Sequence, residues 1–300
     1  MTSNGGELIM GDNPFHGISH LSQERARSRF GNDASDEDRA DLVWSALGCG
    51  AEGFMFSVSD TTLGVVKAMR QKKSLDQIKL YAIVPYTFEY VRIATQLGTP
   101  GLAERFAKQI AGSGDVGAVF NGLAFFTRTN PSSLLKTYLA YELSRLKSAT
   151  GGKAKLSSLF LHEVITDMSL ALDLKWVFET HIDYLTKHNI TPGFHTRNLP
   201  FLVDKFERWG LNLNQLLLVT PLNKVGFQMK PSREACEESL RKLPAANVLA
   251  ISVLACGYLT PLQAVDYIAS LSNLKGVVAG ASTQQQACEV FKLFKERLSG

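Results

Sequence analysis

His162 and Glu163 place an imidazole and a carboxylate side by side. Near neutral pH an imidazole both accepts and donates a proton, and a carboxylate close by favours its charged form. Groups of the same kind recur just past short apolar runs. Asp12, Asn13 and His16 follow residues 7–10, with His20 four positions on. Asp60 follows 53–58 and Tyr86 follows 79–84. His195 and Arg197 follow 190–194, and Asn223 and Lys224 follow 216–219. Four of the six histidines stand at such places, which argues for an enzyme rather than a scaffold. The other two, His181 and His188, are seven residues apart and are expected on a solvated helix face. His162 is read as the central acid or base, with Asp12, His16 and His195 beside it. Asn13, Asp60, Tyr86, Glu163, Arg197, Asn223 and Lys224 are read as substrate contacts. A divalent metal is the lesser cofactor expectation: beyond His16 and His20, no ligand pair on one element enforces it.

A second kind of site is written in Gly280-Ala281-Ser282-Thr283. Small residues let a ligand approach the backbone, and a hydroxyl can cap the helix that follows. The free N–H groups of that helix start then face an anion. Ser252, near the end of the apolar run 247–254, is placed with this group.

These residues need elements to hold them. Unbroken apolar runs of strand length, such as 274–279, imply strands buried on both faces. Each run empties into small or polar residues and then into a helical pattern. Helices are expected at 37–47, 61–72, 131–149, 169–188, 199–209, 232–243, 262–271 and 284–298. Eight such units with no break in composition predict a (β/α)8 TIM barrel as one domain over 1–300. The stretch 87–150 breaks the rhythm and is read as a helical excursion between strands three and four. Its segment 117–120 is open to reading as a further strand. A closed barrel carries the C-terminal ends of its strands to one face, where the residues above would meet.

Composition narrows the classes. A net charge of +4, with no basic block interleaved with aromatics, disfavours nucleic acid. No apolar run approaches the roughly 20 residues of a membrane span, and the start of the chain lacks a signal-peptide core. Cys49, Cys236, Cys256 and Cys288 show no framework spacing and are expected to be free thiols in a reducing compartment, the cytoplasm.

With the strands placed, the chain resembles the aldo-keto reductases. Ile251-Ser252-Val253-Leu254-Ala255-Cys256-Gly257-Tyr258-Leu259-Thr260 is similar to that family's Tyr-Ser-Pro-Leu-Ala-x-Gly-x-Leu-Thr stretch. Gly280-Ala281-Ser282-Thr283 with Gln286 is similar to its Pro-Gly-Ala-Ser motif, which holds the adenosine phosphate of the nicotinamide cofactor. Leu161-His162 stands where the family has its strand-four histidine, and Pro221-Leu222-Asn223 resembles its strand-six loop. The resemblance implies a TIM barrel, an NADP site that includes Ser252, Gly257 and Gln286, and carbonyl reduction by an Asp, Tyr, Lys and His tetrad. The chain departs from that tetrad. Its strand-two positions read Met55 and about Asp60, and strand three ends Ile83-Val84-Pro85 where the lysine belongs. Only His162 remains. His195-Thr196 stands in place of the pair that orients the nicotinamide, and Val290 in place of the adenine-contacting asparagine.

Together these readings imply a small-molecule enzyme on an inherited scaffold. It would act on a small polar or phosphorylated substrate by non-redox acid–base chemistry, as a lyase, isomerase or hydrolase. The alternatives are an NAD(P)H-dependent oxidoreductase with Tyr86 or His162 as proton donor, and a non-catalytic ligand-binding protein.

Overall fold

The computed structural model describes residues 6–16, 34–86 and 131–298. Eight parallel strands close into a barrel in chain order, β1 pairing with both β2 and β8. They are β1 (Glu7–Gly11), β2 (Gly53–Ser57), β3 (Lys79–Val84), β4 (Leu156–Leu161), β5 (Thr191–His195), β6 (Leu217–Pro221), β7 (Val248–Ile251) and β8 (Leu274–Ala279). The TIM-barrel expectation holds.

The strands read as continuous apolar runs because both of their faces are covered. On β2, Met55 points into the barrel with Ile9, Tyr81, Phe160 and Val219. Its neighbours Phe54 and Phe56 lie in the outer layer, between sheet and helices. Alternation therefore survives as two apolar faces rather than as apolar against polar. Gly193 serves the inner layer: a Cβ there would overlap the Phe160 ring and the Ser158 hydroxyl.

The ring of helices comprises α1 (Asp36–Gly48), α2 (Asp60–Lys72), α3 (Pro131–Thr150), α4 (Glu163–Ala171), α5 (Lys175–Lys187), α6 (Leu199–Trp209), α7 (Arg233–Lys242), α8 (Pro261–Ala269) and α9 (Gln284–Leu298). Several of their starts carry side-chain caps: Ser35 with Asp38, Ser59 with Thr62, Asn198, Ser232, and Thr260 with Gln263. Gly210 ends α6 in the left-handed region, at φ 68°.

Four readings change. The helix expected over 169–188 is two, α4 and α5, divided at Asp173 with φ 57°. Of the expected excursion, α3 packs between α2 and α5 as the ring helix of the third unit. The remainder, 87–130, lies outside the described residues, as do the strand considered at 117–120 and His20. His181 is not solvated. It is fully buried on α5, with Nε2 3.2 Å from the carbonyl oxygens of both Leu159 and Gly193. His188, by contrast, is exposed. Finally, Cys49 and Cys288 form a disulfide across a sequence separation of 239, and Cys236 and Cys256 remain thiols. Spacing could not reveal that pair, because barrel closure is what lays α9 against α1. No helix among the described residues is long and apolar enough to cross a membrane.

Candidate active site

Strand β4 ends at Leu161, and the chain turns into α4 with no linker. His162 is the N-cap of α4: its Nδ1 accepts the Val164 backbone N–H at 3.2 Å. Glu163 is the first helical residue, where a carboxylate is favoured by the positive end of the helix. Alternation along a continuing strand would turn this pair to opposite faces. Because the strand has already ended, they meet instead, with His162 Nε2 3.2 Å from Glu163 Oε2.

Glu163 is buried, and its carboxylate organises the neighbourhood. Oε2 also lies 2.9 Å from Nδ1 of His195, at the end of β5, at an angle outside hydrogen-bond geometry. Oε1 accepts a 2.7 Å hydrogen bond from the Arg197 guanidinium. Burial alone would raise the Glu163 carboxyl. The contacts with His195, His162 and Arg197 outweigh it and hold the group well below the usual carboxylate range. For His162 burial wins. It keeps the imidazole below its ordinary value against the pull of Glu163, with His195 and Arg197 siding with burial. Glu163 and Asp12 do pull the imidazole upward, and burial outweighs them. The helix N–H on Nδ1 further favours the neutral ring, since a protonated Nδ1 could not accept it.

The two imidazoles differ in what they leave free. Their rings meet edge to face, 6.0 Å apart. Both nitrogens of His162 have partners. His195 brings Nδ1 within 2.9 Å of the carboxylate without hydrogen-bond geometry, and among the described residues its Nε2 takes no hydrogen bond. Arg197 is two-fifths exposed, so part of its guanidinium is open to an anion.

Other expected residues stand as follows. Asp12 is buried at the end of β1, its Oδ2 accepting the Ser57 backbone N–H at 2.7 Å. Asn13 and His16 bound the 3-10 turn after β1, and the His16 side chain is outside the described residues. Asp60 pairs with Arg145 of α3 at 2.9 Å, on the outer wall rather than with the Glu163 cluster. Tyr86 is half-buried past the end of β3. The Asn223 amide is committed to its own loop, donating to the Phe227 carbonyl and accepting the Phe227 N–H. Lys224 is exposed.

On the β7 and β8 side, Ser252 and Gly257 are in the left-handed region, at φ 54° and 88°. The turn before α9 is largely self-capped. Thr283 Oγ1 accepts the Gln286 N–H, and Gln286 Oε1 accepts the Ser282 N–H. Ala281 is buried, and a Cβ on Gly280 would stand 3.3 Å from Pro14. This turn therefore keeps fewer donors for an anion than its sequence suggested, and the small residue at 280 accommodates Pro14. Among the described residues, no group of three or more His, Cys, Asp or Glu is arranged to hold a metal ion.

Sequence reasoning missed Asp167. It lies one turn past Glu163 on α4, where it accepts from the Thr196 hydroxyl and, at 3.1 Å, from the Arg197 backbone N–H. The spacing Glu163-x-x-x-Asp167 would have shown it, had a helix been read directly after β4.

No family model and no curated protein matches the sequence. Solved structures do match in shape. A Pseudomonas aeruginosa protein assigned to the aldo-keto reductases superimposes with a TM-score of 0.59 at 11% identity, over 97% of this chain and 90% of that one. A second structure from the same organism gives 0.56 over the same shares. An aldo-keto reductase enzyme from a Medee basin deep-sea metagenome library gives 0.51 at 11% identity, over 98% and 86%. The chain has the barrel architecture of the aldo-keto reductases over nearly its whole length.

Proposed function

We propose that the protein is a non-redox acid–base enzyme acting on a small anionic substrate, a carboxylate or a phosphate ester. The observation that carries this reading is the ionised Glu163 set between His162, His195 and Arg197, with His195 Nε2 left open. A carboxylate behind one ring nitrogen orients an imidazole and stabilises its cation once the other nitrogen has taken a proton. In this scheme Arg197 holds the substrate anion, and His195 removes and returns the proton. His162, neutral and fixed by its cap, shares the Glu163 carboxylate and presents its ring beside the reacting group. In this scheme Asp12 and Tyr86, each just past the end of its strand, border the same mouth. The central role expected of His162 thus passes to His195, since His162 has no nitrogen to spare.

A second reading, an NAD(P)H-dependent oxidoreductase, draws on the shared architecture. The turn before α9 fits a cofactor phosphate poorly, because the Ser282 and Gln286 N–H groups are already taken. No step is built on that cofactor.

The test is solvent exchange. In D2O, with no nicotinamide present, small hydroxy- and keto-acids and their phosphate esters are screened by NMR for deuterium entering carbon. Exchange that disappears in His195→Gln supports the proposal. Turnover that requires NADPH, with no exchange in its absence, overturns it in favour of the second reading.

A further inference from the structure

We propose that Asp167 is a positioning residue, fixing where His195 and Arg197 stand relative to Glu163; this rests on the proton-transfer reading above. The need for it follows from how the strands end. The β4–β5 pairing stops at Leu161 opposite Phe194, one residue before His195. Past that point Thr196 still bonds to β6, through its N–H to the Val219 carbonyl at 2.9 Å. On the β4 side the ladder has run out, because β4 has already become α4. The exit of β5 would be held from one side only.

Asp167 supplies the other side. One oxygen accepts from the Thr196 hydroxyl, and the other accepts the Arg197 N–H. The same Thr196 oxygen accepts the Asn198 N–H at 2.9 Å, so one carboxylate organises three successive residues. Asn198 then caps α6 through the Phe201 N–H. Glu163 and Asp167 are four residues apart on one helix and so share a face. That helix packs against both β5 and α6. One carboxylate takes the side chains of His195 and Arg197, the other takes the backbone that carries them, and a single turn of α4 sets the distance between the two. Burial raises the Asp167 carboxyl against the hydrogen bonds from Thr196 and Arg197, as befits a group enclosed rather than offered to solvent.

The test compares Asp167→Asn, Thr196→Val and Thr196→Ser in the full chain. Three quantities are read: the thermal midpoint, the imidazole nitrogen spectrum of His195, and the Kd for inorganic phosphate. Asp167→Asn turns an NH2 group toward one of two donors, and Thr196→Val deletes the hydroxyl. Both are expected to shift the His195 ring signals and to weaken phosphate binding on the order of 10–100-fold, the usual result of a small misplacement at a site. Thr196→Ser keeps the hydroxyl and should behave as the parent. If the His195 spectrum and phosphate affinity are unchanged in both disabling variants, Asp167 positions nothing. Should Asp167→Asn not fold, the Thr196 pair decides alone. A parent protein that ignores phosphate would remove the anion-binding part of the functional reading, while the ring spectra would still judge Asp167.

Discussion

The two ends of the barrel solve the same problem in opposite ways. At the N-terminal end of the strands, Glu7 meets Lys79 at 3.1 Å and Lys275 at 3.4 Å, and it accepts a hydrogen bond from the Tyr81 hydroxyl. Lys79 also reaches Glu52 at 3.2 Å. Each charge there faces its opposite, and hydrogen bonding to Glu7 joins burial in raising the Tyr81 hydroxyl. At the other end one carboxylate faces two imidazoles and a guanidinium, and a ring nitrogen is left open. A closed set of charges contributes stability. An open set can act on something brought to it. In TIM barrels the strand C-termini are where chemistry is done, and the difference between these two clusters says the same without the analogy.

The sharpest way to break the comparison is to neutralise Glu163. Glu163→Gln should lower the turnover of a substrate found by exchange by about 10²–10⁴, the range usual for losing a positioned acid–base group. If activity is retained, the open end is not a site.

Acid tests the wall between the two ends. Burial pushes the His181 imidazole down to about 4, from an ordinary value near 6.5. Between those values the unfolded chain binds a proton that the folded chain refuses. Stability therefore rises with pH across that window and is lost as pH falls through it. The full span is worth about 3 kcal/mol. Denaturant midpoints at pH 7 and pH 4 measure it, and His181→Gln should flatten the difference while costing stability at pH 7.

At the closed end, Tyr81→Phe removes a hydrogen bond to a charged group and should cost about 1.5–3 kcal/mol. Phosphate affinity and His195 ring signals should stay as they were. A variant that alters them would couple two ends that the structure keeps apart. The smallest expected effect comes from Thr283→Ala, about 1 kcal/mol for a lost helix cap. Phosphate binding that falls with it would return an anion to the turn before α9.

The strands were legible because burial on both faces writes itself as an unbroken apolar run, and β8 and α9 begin and end where that pattern does. Strand β7 stops early, at Ile251, because Ser252 takes a left-handed conformation that apolar content does not announce. Helix α4 was missed for a related reason. Val164 and Met168, a turn apart on it, and Leu172 just beyond its end are all exposed, so periodicity marked no buried face. With α4 unseen, the contact of Glu163 with His162 and the whole role of Asp167 were out of reach. His195 and Arg197 could be placed at a strand end from sequence. Which nitrogen stayed free depended on a cap and a carboxylate two elements away.

The bond between Cys49 and Cys288 changes how the barrel would answer a mechanical load. Seven of the eight strands, β2 to β8, lie inside the covalent loop it closes. Tension applied through the two flanking arms would run across the sulfur bridge and leave that loop unloaded. Among the described residues the loaded N-terminal arm holds β1, the 3-10 turn after it and α1, so pulling would peel the first strand from the seam between β2 and β8 and then halt at Cys49. With the bridge reduced, the same pull would reach every unit in turn, at about 3.3–3.6 Å of extension per residue released.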